Sequence, residues 1–225
     1  MTTRSIGLVR LALAGIASAQ VAPAPDDVAG YSGLHAAAHA GDVGQIAALA
    51  ASGADPDVRD RAGRTPAHVA AFASNDEALR ALAAAGADLN ALEGQAYDVV
   101  TIAAVADDPE LVALAMDLGN RADLITSPYD GTALIAAAHL GHHEVVRLLA
   151  AGGAPLDHVN NLGWTALMEA VVLGDGGSDH VATVEVLLAA GADPTIADRD
   201  GVTPLAHAEA RGYSEIAALL AASPN

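Results

Sequence analysis

The feature that most constrains this chain is that it repeats itself. Take the block DRAGRTPAHVAAFASNDEALRALAAAGADLNAL, which begins at Asp60, as the reference. Equivalent blocks begin near Asp27, Asp60, Glu93, Ser127, Asn160 and Asp198, at steps of 33, 33, 34, 33 and 38 residues. A period of this length is the mark of a linear array, in which each unit is one supersecondary element that buries its apolar face only against its neighbours.

Each unit has the same order of parts. A polar turn containing Gly comes first, as in DRAGR, NNLGW and DRDGV. A Thr-Pro or Thr-Ala step follows (Thr65-Pro66, Thr132-Ala133, Thr165-Ala166, Thr203-Pro204). Thr caps a helix, and Pro fits its first turn, where an N–H has no partner anyway. A short alanine-rich helix then runs to a Gly: Gly41, Gly141, Gly174 or Gly212. A second helix carries apolar residues at helical spacing, as in EVVRLLAA (144–151) and TVEVLLAA (183–190). It closes on Gly-Ala, at Gly53-Ala54, Gly86-Ala87, Gly153-Ala154 and Gly191-Ala192, where glycine takes the left-handed C-terminal conformation without a Cβ clash.

Composition agrees with such an array. Hydrophobic residues make up 52% of the 225, yet aromatics are only 3% and alanine is abundant. Small side chains let helices approach closely but cannot fill a wide core, so thin stacked layers are favoured. The net charge is −18, and all ten basic residues are arginine. An acidic surface repels phosphate backbones, which argues against nucleic acid as a partner. With no cysteine, disulfides, thiolate metal sites and a cysteine nucleophile are excluded.

The stretches TPAHVAA (65–71), GHHEVVRLLAAGGA (141–154), GWTALMEA (163–170), VEVLLAAGADP (184–194) and DGVTPLAHA (200–208) resemble the ankyrin repeat family. The resemblance covers residues 27 to about 222. It implies an all-α solenoid of about six helix-turn-helix units joined by short β-hairpin loops, with units near 27–59, 60–92, 93–126, 127–159, 160–197 and 198–222. It also implies a non-enzymatic scaffold that binds a protein partner, the array itself acting as a monomer. Unit three departs most from the pattern: Asp98-Val99-Val100-Thr101 replaces the Thr-Pro-Leu-His step, and Asp107-Asp108-Pro109 replaces the helix-breaking Gly. Asp108 is expected to cap the second helix, with Pro109 at its first position. Unit five carries about five extra residues around LGDGGSDH (173–180), read as a flexible loop with Ser178 or Asp179 capping the next helix.

The search for chemistry is short. His35 and His39 lie four apart, which puts both on one helix face and suggests half a metal site. The repeat removes that suggestion, because His39 aligns with Phe72. His35 aligns with His68 of the Thr-Pro-x-His step, and the resemblance gives both a local bracing role. His142-His143-Glu144 begins like a zinc-protease helix, but Arg147 stands where the second His is needed. Residues 175–180 lack the acidic ladder of a calcium loop. The sequence calls for no cofactor and no metal; the alternatives to partner binding are a structural spacer, or a metal-binding or enzymatic protein using the histidines and the 173–180 insertion.

One distribution points to binding. In the family, hairpin and first-helix positions on the concave side contact partners. Tyr31, Tyr97 and Trp164 fall at position 5 of their units, Tyr129 at position 3 and Phe72 at position 13, so five of the six aromatics share one expected surface. Arg64, His39 and His139 map there too. Aromatics and Arg dominate binding hot spots because they bury large areas at low entropic cost. The competing reading is that these rings pack on neighbouring hairpins.

The amino terminus has the form of an export signal (residues 1–19). Arg4 and Arg10 precede or flank the apolar run LALAGIA (11–17), and Ala17-Ser18-Ala19 offers small residues before Gln20. Cleavage removes two Arg, taking the charge from −18 to −20, leaves 20–26 as a Pro-containing leader, and places the protein in the periplasm or outside the cell. The alternative is a frayed N-terminal helix on a cytoplasmic protein. No other apolar run approaches the ~20 residues of a membrane span.

Overall fold

The computed structural model describes residues 21–223, so the proposed export signal lies outside the described residues. Thirteen helices occur among the described residues: α1 (Pro25–Ala29), α2 (Gly33–Ala40), α3 (Val43–Ala51), α4 (Pro66–Phe72), α5 (Asp76–Ala84), α6 (Val99–Val105), α7 (Pro109–Asp117), α8 (Ala133–Leu140), α9 (His143–Ala151), α10 (Ala166–Val172), α11 (Ser178–Ala190), α12 (Pro204–Arg211) and α13 (Ser214–Ala222). From α2 onward they alternate between two layers. First helices (α2, α4, α6, α8, α10, α12) pack side by side, and second helices (α3, α5, α7, α9, α11, α13) form the layer behind them. In the second layer α5 and α7 have the slightest contact of any neighbouring pair. None of these helices is long and apolar enough to cross a membrane.

Local chemistry sets the boundaries. Side-chain oxygens of Asp98, Thr132, Thr165 and Thr203 accept the N–H three residues on and so open the first helices. Asp108 does the same for Leu111 N–H, with Pro109 behind it, as its sequence led us to expect. First helices end on a left-handed residue: glycine at 41, 141 and 212, but Ser74 (φ 50°) and Asp107 (φ 55°) in units two and three. A carboxylate or hydroxyl side chain tolerates that conformation better than a branched one.

The core is a set of large aliphatic side chains spread over most of the helices plus a stripe of alanine. Ile46, Leu79, Leu82, Ile102, Leu111, Leu134, Leu149, Leu167, Leu187 and Ile216 are fully enclosed. Ala37-Ala38, Ala70-Ala71, Ala103-Ala104 and Ala137-Ala138 recur at the same unit positions, all buried, and let the first helices approach closely.

The connecting loops are closed by the first residue of each unit. One side-chain oxygen of Asp60, Glu93, Ser127, Asn160 and Asp198 accepts two backbone N–H groups, two and four residues ahead. One backbone bond crosses each loop, such as Asp60 N–H to Arg64 O at 2.9 Å and Asn160 N–H to Trp164 O at 3.0 Å. These hairpin-like arms are too short for a ladder, so no described residue is a strand.

Two local expectations are corrected. Residues 173–177 form a turn and residues 178–180 are the first turn of α11, which begins at Ser178 and runs 13 residues. The residue that ties its start is Asp175, which takes Gly177 N–H at 2.8 Å; neither Ser178 nor Asp179 caps the helix. Gly174 does not take the left-handed break, which is deferred to Gly176 (φ 75°), packed against the ring of Tyr213. The inserted residues supply the delay. Unit one also opens differently, with the single-turn helix α1 in place of a polar turn.

The units are laced together between their helices. In most junctions a donor in the later unit's inter-helix turn reaches a carbonyl at the end of the earlier unit's first helix. Asn75 Nδ2 donates to Ala38 O and His39 O, His142 Nδ1 to Ala104 O, His180 Nε2 to His139 O, and Tyr213 Oη to Gly174 O. Ala104 O and His139 O accept no helical N–H, so there the bond satisfies an otherwise open acceptor, while Ala38 O also takes the Gly41 N–H at 3.3 Å. Unit three has Asp108 at this place, and an ionised carboxylate has nothing to donate.

Candidate partner-binding cleft

The eight residues of the expected binding stripe divide into three groups. At the N-terminal end, Tyr31 stacks on His35 with ring centres 5.4 Å apart and donates its hydroxyl to Asp60 Oδ2 at 3.1 Å; exposed His39 lies 6.5 Å from the same ring. Burial is the leading reason that the Tyr31 phenol is pushed up to about 12. Arg64 is withdrawn from this surface, at 4% exposure. Its Nε reaches Asp60 Oδ2 at 2.9 Å and its Nη2 reaches Asp27 Oδ2 at 2.8 Å, so it fastens α1 to unit two and is not free to grip a partner. Phe72 and Trp164 form the second group: both are half-buried, and neither lines the cleft described next.

The third group comes together. Tyr97, Tyr129 and His139 line a cleft across units three, four and five, with an enclosed volume of about 50 Å³. Ile135, Leu140 and Leu162 complete its apolar walls. Tyr97 is 5% exposed, so its ring is a wall and not a protruding knob; burial raises its phenol above the ordinary value. Tyr129 is carried by the unit-four loop, whose geometry Ser127 fixes by taking the N–H groups of Tyr129 and Gly131 at 3.1 Å each.

The floor holds a residue that sequence reasoning passed over. Glu169, in the middle of α10, is 2% exposed. Its Oε2 accepts from His139 Nδ1 at 3.1 Å and its Oε1 from Asn160 Nδ2 at 2.9 Å. The signal was present: the same unit position is Ala36, Val69, Ile102 and Ala136 in units one to four. Unit six bridges the same two positions with the roles exchanged, His207 Nε2 meeting Asp198 Oδ2 at 2.8 Å. Only unit five puts the acid on the helix, where it reaches the concave side. Asp98, the other strongly enclosed acid, is spent internally: Thr101 and Asn120 satisfy it, and burial raises its carboxyl above the usual range.

The bracing histidines act as the Thr-Pro-x-His step implied. His35 Nε2 donates to Arg64 O at 2.9 Å. His68 Nε2 donates to Tyr97 O at 3.1 Å, while its Nδ1 accepts from Thr65 N–H at 3.1 Å. Each joins one unit's first helix to the next unit's loop. Among the described residues no group of three His, Asp or Glu is arranged to hold a metal ion. Leu92, Ile125 and Val159 stand exposed just before successive loops and extend apolar surface along the arms.

The family model described as ankyrin repeats (three copies) matches residues 5–93 and 100–198. The chain belongs to the ankyrin repeat family. Among solved structures, this ankyrin array is similar to an ankyrin repeat domain from Acinetobacter baumannii AYE, with a TM-score of 0.80 and 43% identity over 84% of this chain and 96% of that one. It is also similar to the ankyrin repeat domain of Bcl-3, a member of the IkappaB protein family, with a TM-score of 0.77 and 28% identity over 86% of each chain. Among curated proteins, the ankyrin repeat protein YahD of Escherichia coli (strain K12) is 38% identical over 123 residues, 54% of this chain and 61% of YahD. The match thus spans less than two thirds of that relative. The ankyrin fold generally serves protein–protein interaction, and this array shares it from unit to unit.

Proposed function

We propose that this ankyrin array is a non-enzymatic, monomeric scaffold that binds a protein partner on its concave side, with the cleft of units three to five as the anchor point. The observation that carries the reading is the convergence of Tyr97, Tyr129 and His139 around one apolar-walled cavity in an otherwise aromatic-poor chain. Large, stiff side chains around a desolvated pocket are where interface energy concentrates. A photo-crosslinking residue at Tyr129 or Leu162 is expected to capture a discrete partner in the native host, and one at Arg147 or Glu185 on the opposite layer is not. Tyr129→Ala is expected to weaken that capture by about tenfold or more, the size of a hot-spot loss, with the thermal midpoint unchanged. Equal capture from both layers, or none from the cleft, would leave the array a spacer.

Export is a separate proposal, carried by the Arg-flanked apolar run and the Ala17-Ser18-Ala19 step. N-terminal sequencing of protein from the native host is expected to begin at Gln20 or Val21; an intact Met1 or Thr2 refutes it.

A further inference from the structure

The cleft also carries information about what kind of side chain enters it. Its floor is a carboxylate almost fully removed from water, and its walls are two tyrosine rings and aliphatic groups. Glu169 receives one hydrogen bond on each oxygen, from Asn160 and from His139, and each oxygen retains a second acceptor position. Among the described residues no arginine lies within ion-pair distance of it. An enclosed carboxylate without a permanent counter-charge is costly to hold. Nothing in the fold demands it there, since units one to four place Ala, Val or Ile at this position without loss of the helix.

We propose that Glu169 is the counter-ion for an arginine of the partner, whose guanidinium enters the cleft beside Tyr129 and Tyr97. This rests on the concave-cleft reading above and adds the chemistry of the anchor. A guanidinium is planar, stacks on aromatic faces, and donates in a fork that a carboxylate accepts. Lysine, a strongly hydrated point charge, gains less from apolar walls. The rest of the molecule is complementary to a basic partner, because a net charge of −18 steers cationic surfaces toward it.

The test uses the full chain and a pair of small probes, N-acetyl-arginine methylamide and its neutral isostere N-acetyl-citrulline methylamide, followed by amide NMR titration. The arginine probe is expected to give saturable shifts centred on Tyr129, Asn160 and Glu169, and to bind about tenfold or more tighter than the citrulline probe. Glu169→Gln preserves shape and the bond from Asn160. It is expected to bring the arginine probe down to the citrulline level with an unchanged circular dichroism spectrum. Tyr129→Ala, at a half-exposed loop position, is expected to weaken the arginine probe without touching Glu169. Equal binding of the two probes, binding of neither up to tens of millimolar, or shifts spread over the acidic surface instead of the cleft would each overturn the proposal. Capture of a partner from the cleft by crosslinking together with any of those results leaves the binding face in place and removes only the arginine anchor.

Discussion

Arg64→Ala is expected to lower the stability of the folded array by about 3 kcal/mol, measured as a fall in the urea midpoint at unchanged m-value. The guanidinium is nearly fully enclosed and bonded to Asp60, itself only 11% exposed, and to Asp27, which is 40% exposed. Removing it leaves the Asp60 carboxylate facing Tyr31 without a cation. The half-exposed Asp27 contact contributes less, because water screens it, so the figure sits at the low end for a broken buried pair. Arg64→Lys is expected to recover little, since one ammonium cannot reproduce the two-armed geometry. A loss under about 1 kcal/mol would show that Arg64 is an exposed charge after all, as a partner-binding role requires.

The second large effect is in acid. His68 is held as the neutral imidazole: Nε2–H donates to Tyr97 O, and Nδ1 must accept from Thr65 N–H. Burial drives its value from 6.5 down to about 4. Below 6.5 the unfolded chain therefore binds a proton that the folded chain refuses, so stability falls as pH drops from about 6.5 to about 4 and levels off below. The span corresponds to about 3 kcal/mol at 1.36 kcal/mol per unit. The stability difference between wild type and His68→Gln is expected to shrink by that amount between pH 7 and pH 4.

Carboxylates act elsewhere on the scale. Hydrogen bonding to Arg64 holds Asp27 below its usual value. In Asp60 burial pushes upward, but the Arg64 N–H and guanidinium outweigh it and the net is downward. Their contribution is present above 3.8 and is lost only in stronger acid. The raised Asp98 works in the opposite sense, favouring the folded state as pH falls toward 3.8. Because wild type and His68→Gln both keep these acids, the difference between them isolates His68. A flat difference across that range would mean that His68 titrates freely.

The fold was legible because its punctuation is local. Thr or Asp caps, prolines at first positions and glycines past helix ends act within a few residues, and they recur. The site was only half legible. Position counting put Tyr97, Tyr129 and His139 on one surface, and they line one cleft, but Arg64 from the same count is buried. The reason is distance: Asp27, its partner, lies 37 residues away on a helix that the repeat pattern did not foresee. Glu169 was passed over because its unit position is Ala, Val or Ile in units one to four, which marks interior packing and not a cleft. The donors that link inter-helix turns were also invisible, since Asn, His, His and Tyr share no chemical family beyond an N–H or O–H at the right height.

The acceptor-only Asp108 has a mechanical corollary. Between units two and three the lacing bond is absent and the rear helices α5 and α7 scarcely meet, while His68 and the Gly94–Ala62 bond pin the loop end and Asn90 pins the rear end, donating to Gly119 O and accepting from Asn120 Nδ2 and Arg121 N–H. That junction is therefore fastened at both ends and open only in its middle, like a seam stitched at its corners.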